Sequence, residues 1–205
     1  MTAMNRILLV RHGETVGQSS IRYYGSTDIP LSGHGREQIR LLARRLPSDV
    51  PPLVLSSPLM RAWQSARLLA PHARVQLLDE LREIDFGRWE GLTAEEIRSR
   101  DPILFEDWRS RRPGFEFPGG ERRAHLQARV DRVSQGLLAS GCSGALVVAH
   151  KAVLRAIARR VVGEELPDDL PALADCIQIT RDAGDRWFVG RHGSDPRQDE
   201  GPAAA

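Results

Sequence analysis

The chain is almost without lysine: 29 residues are lysine or arginine, and Lys151 is the only lysine among them. Cysteine is scarce too. Cys142 and Cys176 have neither the pairing of a disulfide framework nor the close spacing of a metal knuckle, so free buried thiols in a reducing cytoplasm are expected. No apolar run approaches the roughly 18 residues that cross a bilayer, which argues against a membrane role. Met1 to Asn5 lacks a charged segment leading into a long apolar one, so no secretory signal is expected. A net charge of +2 and an aromatic content of 5% leave no basic stripe interleaved with rings, and a nucleic-acid partner is not expected. There is no His-x-x-x-His pair, no cluster of acids suited to a metal and no nucleotide-binding glycine loop, so neither metal nor cofactor is expected. What remains is an ordinary globular composition, 41% hydrophobic and 27% charged, in 205 residues, enough for one domain with a substantial core.

Against this background Ile7-Leu8-Leu9-Val10 stands out. An unbroken run of this kind reads as a strand buried on both faces, as in a parallel sheet covered by helices. Arg11-His12-Gly13 follows at once. Ligands of such sheets bind beyond the carboxyl ends of the strands. A fork of donors suited to phosphate or carboxylate therefore stands where a ligand is expected. Beside it is an imidazole able to act as a nucleophile near neutral pH. Gly13 is expected to let the backbone approach that ligand. Ala145-Leu146-Val147-Val148-Ala149 repeats the arrangement, and His150 follows it. Next comes a helix with Val153, Leu154, Ile157, Ala158 and Val161 on its apolar side, whose free N–H groups suit an anion. Two histidines placed alike, in a chain with six, point to one site.

Between them the elements alternate. Positions 15–30 read as a long loop. Ser32 caps a helix with the stripe Ile39, Leu42, Ala43 and Leu46, stopped by Pro47. Leu53-Val54-Leu55 is a short strand. Ser56-Ser57-Pro58 opens a helix, with Pro in the first turn, carrying Leu59, Ala62, Trp63, Ala66 and Leu69 on one face and Arg61 near its start. A third strand runs from Val75 to Leu78. Leu81 to Leu92 form a structured loop, and Thr93 with Glu96 forms a capping box. Positions 101–112 read as a helix with Leu104, Phe105 and Trp108 on one side. It ends in Arg109, Arg111 and Arg112, which either favour an anionic substrate or form a solvated basic face. After a loop over 113–120, Leu126, Val130, Val133 and Leu137 mark a further helix. Ile177 and Ile179, then Trp187 and Val189, suggest two closing strands around a turn at Asp182 to Asp185. Arg191-His192-Gly193 repeats the opening tripeptide with no helix after it and reads as the start of a disordered tail over 193–205. Residues 1–192 read as one domain. The order of elements predicts an α/β fold, a three-layer α/β/α sandwich with a mostly parallel central sheet.

Five of these motifs, taken together and in order from Ile7 to about Val162, resemble the histidine phosphatase superfamily, which includes the cofactor-dependent phosphoglycerate mutases. They are Arg11-His12-Gly13, the run from Ser56 to Ala62, the Glu83 segment, Phe117-Pro118-Gly119-Gly120-Glu121, and His150. The resemblance implies a phosphoglycerate mutase-like fold and a metal-independent phosphatase acting on a small phosphomonoester. His12 would become a phosphohistidine, Arg11, Arg61 and His150 would hold the phosphoryl oxygens, and Glu83 would serve as general acid and base. Asp85 rivals Glu83, and Glu90 is expected to order the loop. Gly13, Gln18, Tyr24, Gly25 and Lys151 are the expected substrate-binding residues. The chain departs from the family pattern at several points. Gln18 stands where Asn is common, Gly17 where Trp is usual, and Arg122 where Ser normally follows the Phe117 loop. Lys151 replaces the glycine after the second histidine; its ammonium reaches the substrate, crowds the pocket or points to solvent. The segment between Gly91 and Gly119 lacks the longer basic insertion of the mutases, which ranks phosphatase above mutase. The alternative of another class is a non-catalytic module that binds a phospho-ligand.

Overall fold

The computed structural model describes residues 3–47 and 49–191. In chain order its strands are β1 (Arg6–Arg11), β2 (Leu53–Ser56), β3 (Val75–Leu77), β4 (Gly144–Ala149), β5 (Cys176–Arg181) and β6 (Trp187–Arg191). They form one sheet in the spatial order β3-β2-β4-β1-β5-β6. The first four in that order are parallel, and β5 and β6 add an antiparallel edge beside β1. The helices are α1 (Gly33–Ala43), α2 (Met60–Leu69), α3 (Ala94–Arg100), α4 (Pro102–Arg109), α5 (Arg123–Ala139) and α6 (Lys151–Val162).

Alternation along the strands explains the unbroken apolar runs. Ile7 and Leu9 face α5 and α6, while Leu8 and Val10 face α1 and α2. Residues of β4 divide in the same way, with Ala145, Val147 and Ala149 on one side and Leu146 and Val148 on the other. The result is the expected three-layer α/β/α sandwich. A third apolar cluster lies off the sheet, built from Ile84, Trp89, Ile97, Phe115 and Phe117 with Tyr23, Phe86 and Trp108 packed against them. Its rings meet mostly edge to face at centroid separations of 5.0–6.1 Å. Ala152 of α6 packs against this cluster, so it sits at the carboxyl end of β4.

Local expectations hold in part. Ser32 caps α1 by accepting from Gly35 N, and Thr93 with Glu96 forms the capping box of α3. The first helix stops at Ala43, before Pro47 is reached. The second begins at Met60, so Pro58 precedes it; its N-cap is Leu59, and Ser57 turns inward instead. Trp63 is 41% exposed and does not share the buried face of Leu59, Ala62, Ala66 and Leu69. Arg122 is the N-cap of α5 without a side-chain bond; Glu116 accepts from Arg123 N at 2.8 Å in its place. The expected tail at 193–205, with His192, lies outside the described residues.

One basic side chain ties α5 to the loop ahead of Glu83. Arg129 donates to both carboxylate oxygens of Glu121 at 2.7 Å and to the carbonyls of Glu80 and Arg82 at 2.6 Å. The pair is mostly buried, so removing the cation leaves a carboxylate and two carbonyls without partners. Arg129→Met is expected to cost about 2–3 kcal/mol in urea unfolding. Arg129→Lys should recover only part of that, because an ammonium cannot reproduce the fork.

Candidate active site

Parallel pairing of β1 with β4 places Arg11 beside Ala149 in register. The next residue on each strand is therefore a histidine at the same height. His12 N donates to Ala149 O at 3.2 Å, and the two imidazole centroids are 5.1 Å apart. Both rings are buried at the carboxyl edge of the sheet.

The rings are held differently. His12 Nδ1 lies 2.7 Å from its neighbour's carbonyl, Gly13 O. A carbonyl only accepts, so Nδ1 carries the proton and Nε2 presents a lone pair. Burial, then Arg61 and Arg11, hold the His12 pKa well below 6.5, so the ring is neutral at physiological pH. His150 is the N-cap of α6, and its Nε2 is 2.9 Å from Ser57 Oγ. Its Nδ1 is buried with no partner. Burial first, then Arg61, His12, Arg11 and Arg129, keep it neutral as well.

Arg61 is wholly buried in the first turn of α2. Its terminal nitrogens donate to the carbonyls of Tyr24, Gly25 and Thr27 at 2.8–3.1 Å, which fastens the loop after β1, while Nε has no partner. Arg11 donates from Nη1 to Pro171 O at 3.1 Å, and its Nε is likewise buried and unpartnered. Among the described residues, Arg11 Nε and Arg61 Nε are thus donors without acceptors and His150 Nδ1 is a ring nitrogen without a partner, and both guanidinium groups lie near enough to His12 to lower its pKa. Each such group costs about 1–3 kcal/mol when left unbonded, so an anion accepting from all of them would relieve several kcal/mol at once.

Glu83 is buried beside them. Its carboxylate accepts from Ile84 N at 3.0 Å and from Ala152 N, in the first turn of α6, at 3.3 Å. Burial raises its pKa above the usual carboxylate value and outweighs those bonds and the nearby Arg61 and Arg11. A neutral imidazole, unpaired donors and a carboxyl group poised to hold a proton suit phosphoryl transfer without a metal. Among the described residues there is no cluster of His, Cys, Asp or Glu able to hold a metal ion.

The family model for the histidine phosphatase superfamily, branch 1, matches residues 7–193. The chain belongs to this superfamily. Phosphoserine phosphatase 1 of Hydrogenobacter thermophilus is 32% identical over 166 residues, 80% of this chain and 79% of that protein. The crystal structure of the alpha-ribazole phosphatase of Shigella flexneri superposes with a TM-score of 0.78 at 26% identity, covering 92% of this chain and 96% of that one. A mycobacterial glucosyl-3-phosphoglycerate phosphatase gives 0.73 at 28% identity, covering 93% and 99%. Three mycobacterial relatives are longer, and the chain spans 43% of their length. The fold is thus phosphoglycerate mutase-like, and relatives of this histidine phosphatase carry phosphatase names.

The remaining expected residues divide. A Cβ on Gly13 would stand 2.4 Å from Gly35 O, so the glycine is required by the approach of α1, and its N–H already faces Ser65 Oγ at 3.4 Å. Gly25 is spent on the scaffold, donating to Glu90 and accepting from Arg61. Tyr24 is half-buried, and its ring occupies the space beside Gly17, where a Cβ would lie 2.7 Å from it. Gln18 has a positive φ of 62° and an exposed side chain. Lys151, in the first turn of α6, is half-buried with no ion pair or hydrogen bond among the described residues; burial, then Arg11 and Arg155, lowers its pKa. Asp85 accepts from Gly87 N within its own turn. Glu90 orders the loop as expected, accepting from the backbone of Gly25, Ser26, Thr27 and Phe86. Arg109 and Arg112 are exposed and paired with Glu106 and Asp107, while Arg111 pairs with Asp168.

Three contributors escape the sequence reading: Ser57, Ser65 and Arg129. Ser57 and Ser65 lie inside or just after the Ser56-to-Ala62 motif, and turns of that motif toward the site are their only signal.

Both buried imidazoles bind a proton more weakly in the folded chain than when unfolded. Their stabilising contribution is complete above about pH 6.5 and is lost as the pH falls below it, each with a slope of up to about 1.4 kcal/mol per pH unit. His150→Asn is expected to flatten the unfolding free energy against pH by up to that amount just below pH 6.5. An unchanged slope would mean that the ring is charged in the native protein.

Proposed function

We propose that the chain is a metal-independent phosphatase that hydrolyses a small phosphomonoester through a phosphohistidine on His12. The observation that carries this reading is the set of buried polar atoms without partners among the described residues, Arg11 Nε, Arg61 Nε and His150 Nδ1, near a neutral imidazole whose Nε2 makes no hydrogen bond there.

The ester phosphate accepts from those donors, and His12 Nε2 attacks phosphorus as the ester oxygen leaves. Each charge-assisted bond contributes about 1.5–3 kcal/mol, and charge spread over the transferring group strengthens them in the transition state. Glu83, whose burial favours the protonated form, gives its proton to the leaving oxygen. The resulting carboxylate then takes a proton from water, which attacks the phosphohistidine and releases inorganic phosphate. Lys151 and Tyr24 border the part of the substrate beyond the phosphate, with Gln18 at the rim. The relatives' names point to phosphoserine, alpha-ribazole phosphate and glucosyl-3-phosphoglycerate as the first compounds to screen. Among the described residues no helix is long and apolar enough to cross a membrane.

The test is phosphate release from such a panel, with acid-labile, alkali-stable label trapped on the protein by rapid quench. His12→Ala should abolish both. Glu83→Gln should lower kcat by about 10²–10⁴ on an alkyl phosphate and far less on p-nitrophenyl phosphate, whose leaving group needs no proton. Wild-type kcat on the alkyl ester should fall as the pH rises through the raised Glu83 pKa. Turnover of 3-phosphoglycerate with its bisphosphate primer that exceeds phosphate release would favour a mutase. No release from any ester, with phosphate binding unaffected by His12→Ala, would favour a binding module.

A further inference from the structure

Beside the histidines that follow β1 and β4, the neighbouring strand β2 brings a hydroxyl to this edge. Ser56 of β2 pairs with Val148 of β4, and Ser57 N donates to Val148 O at 3.0 Å. Ser57 therefore leaves its strand alongside His150 and is wholly buried. Its hydroxyl has two neighbours: Leu59 N, which donates to it at 3.3 Å, and His150 Nε2 at 2.9 Å.

We infer that Ser57 is a positioning residue that donates its hydroxyl proton to His150 Nε2 and so selects the tautomer with the proton on Nδ1, the buried ring nitrogen left without a partner. This deepens the phosphatase reading and rests on it for the identity of the anion. The alternative arrangement fails twice. If Nε2–H donated to Ser57, the hydroxyl proton would have no acceptor among the described residues. The bare Nδ1 lone pair would then be buried without a donor beside the cations Arg61 and Arg11, and it could offer no hydrogen to an oxyanion that they attract. With Ser57 donating, Leu59 N, the hydroxyl and Nε2 are all satisfied, and Nδ1–H remains as a neutral donor. The ring then binds the phosphoryl group without taking a proton, so Glu83 stays the one proton carrier of the reaction.

The tautomer is readable without substrate. In the ¹⁵N spectrum of histidine-labelled full-length protein, with His150 assigned by the His150→Asn variant, Nδ1 should have a pyrrole-like shift and Nε2 a pyridine-like shift at neutral pH. Ser57→Thr, which keeps the hydroxyl, should preserve that pattern. Ser57→Ala should lose it and lower kcat about tenfold or more, about 1.4 kcal/mol or more in barrier. Protonation at Nε2 in the wild-type spectrum, or a Ser57→Ala protein with the wild-type pattern, would overturn the inference. A Ser57→Ala chain that fails to fold leaves the wild-type and Ser57→Thr spectra to decide. A protein inert toward all phosphomonoesters but with the expected spectrum would sink the phosphatase reading and not this one.

Discussion

The in-register pairing of β1 with β4 is the constraint on which the site depends. One backbone hydrogen bond, from His12 N to Ala149 O, continues the ladder past the strand ends and brings the two imidazoles to 5.1 Å. A slip of one residue would turn His12 toward the opposite layer, since side chains alternate along a strand. The apolar division of β1 between two helical layers forbids that slip, because it would carry the core residues to the wrong faces too. Hydrophobic patterning thus sets the geometry of the candidate site.

Around this centre, buried charge serves mainly to fasten loops. Arg61 spends its terminal nitrogens on carbonyls of residues 24–27, and Glu90 gathers the N–H groups of the same loop from the other side. Arg129 does the same for the segment ahead of Glu83. The donors left over are the ones without partners, and they lie close to His12. Burial makes both histidines neutral and the carboxyl group protonatable, so the environment that strains these polar groups also gives them the charge states that phosphoryl transfer requires.

Strands, helical layers and the positions of His12 and His150 were legible because long apolar runs ending in a histidine have few other readings. Arg61, Glu83 and the loop role of Glu90 were legible through motif resemblance. What was hidden depends on distance across the fold. Gly13 is held glycine by the close approach of Gly35 of α1, a contact that the sequence around it does not announce. Trp63 has the spacing of a core residue but faces outward, since the smaller Ala62 and Ala66 line the contact. Arg109, Arg111 and Arg112 read in the sequence equally as anion-binding or as a solvated basic face, and in space each has an acidic partner. Ser57 is a common residue in a turn, and only its neighbour across the sheet gives it meaning.

The crystal structure of the protein with orthovanadate bound tests the central claim most directly. The account predicts vanadium bonded to His12 Nε2, with its oxygens accepting from Arg11, Arg61 and His150 Nδ1 and with Glu83 facing the oxygen opposite the imidazole. Vanadate seated away from His12, or held there while those donors remain unbonded, would contradict it.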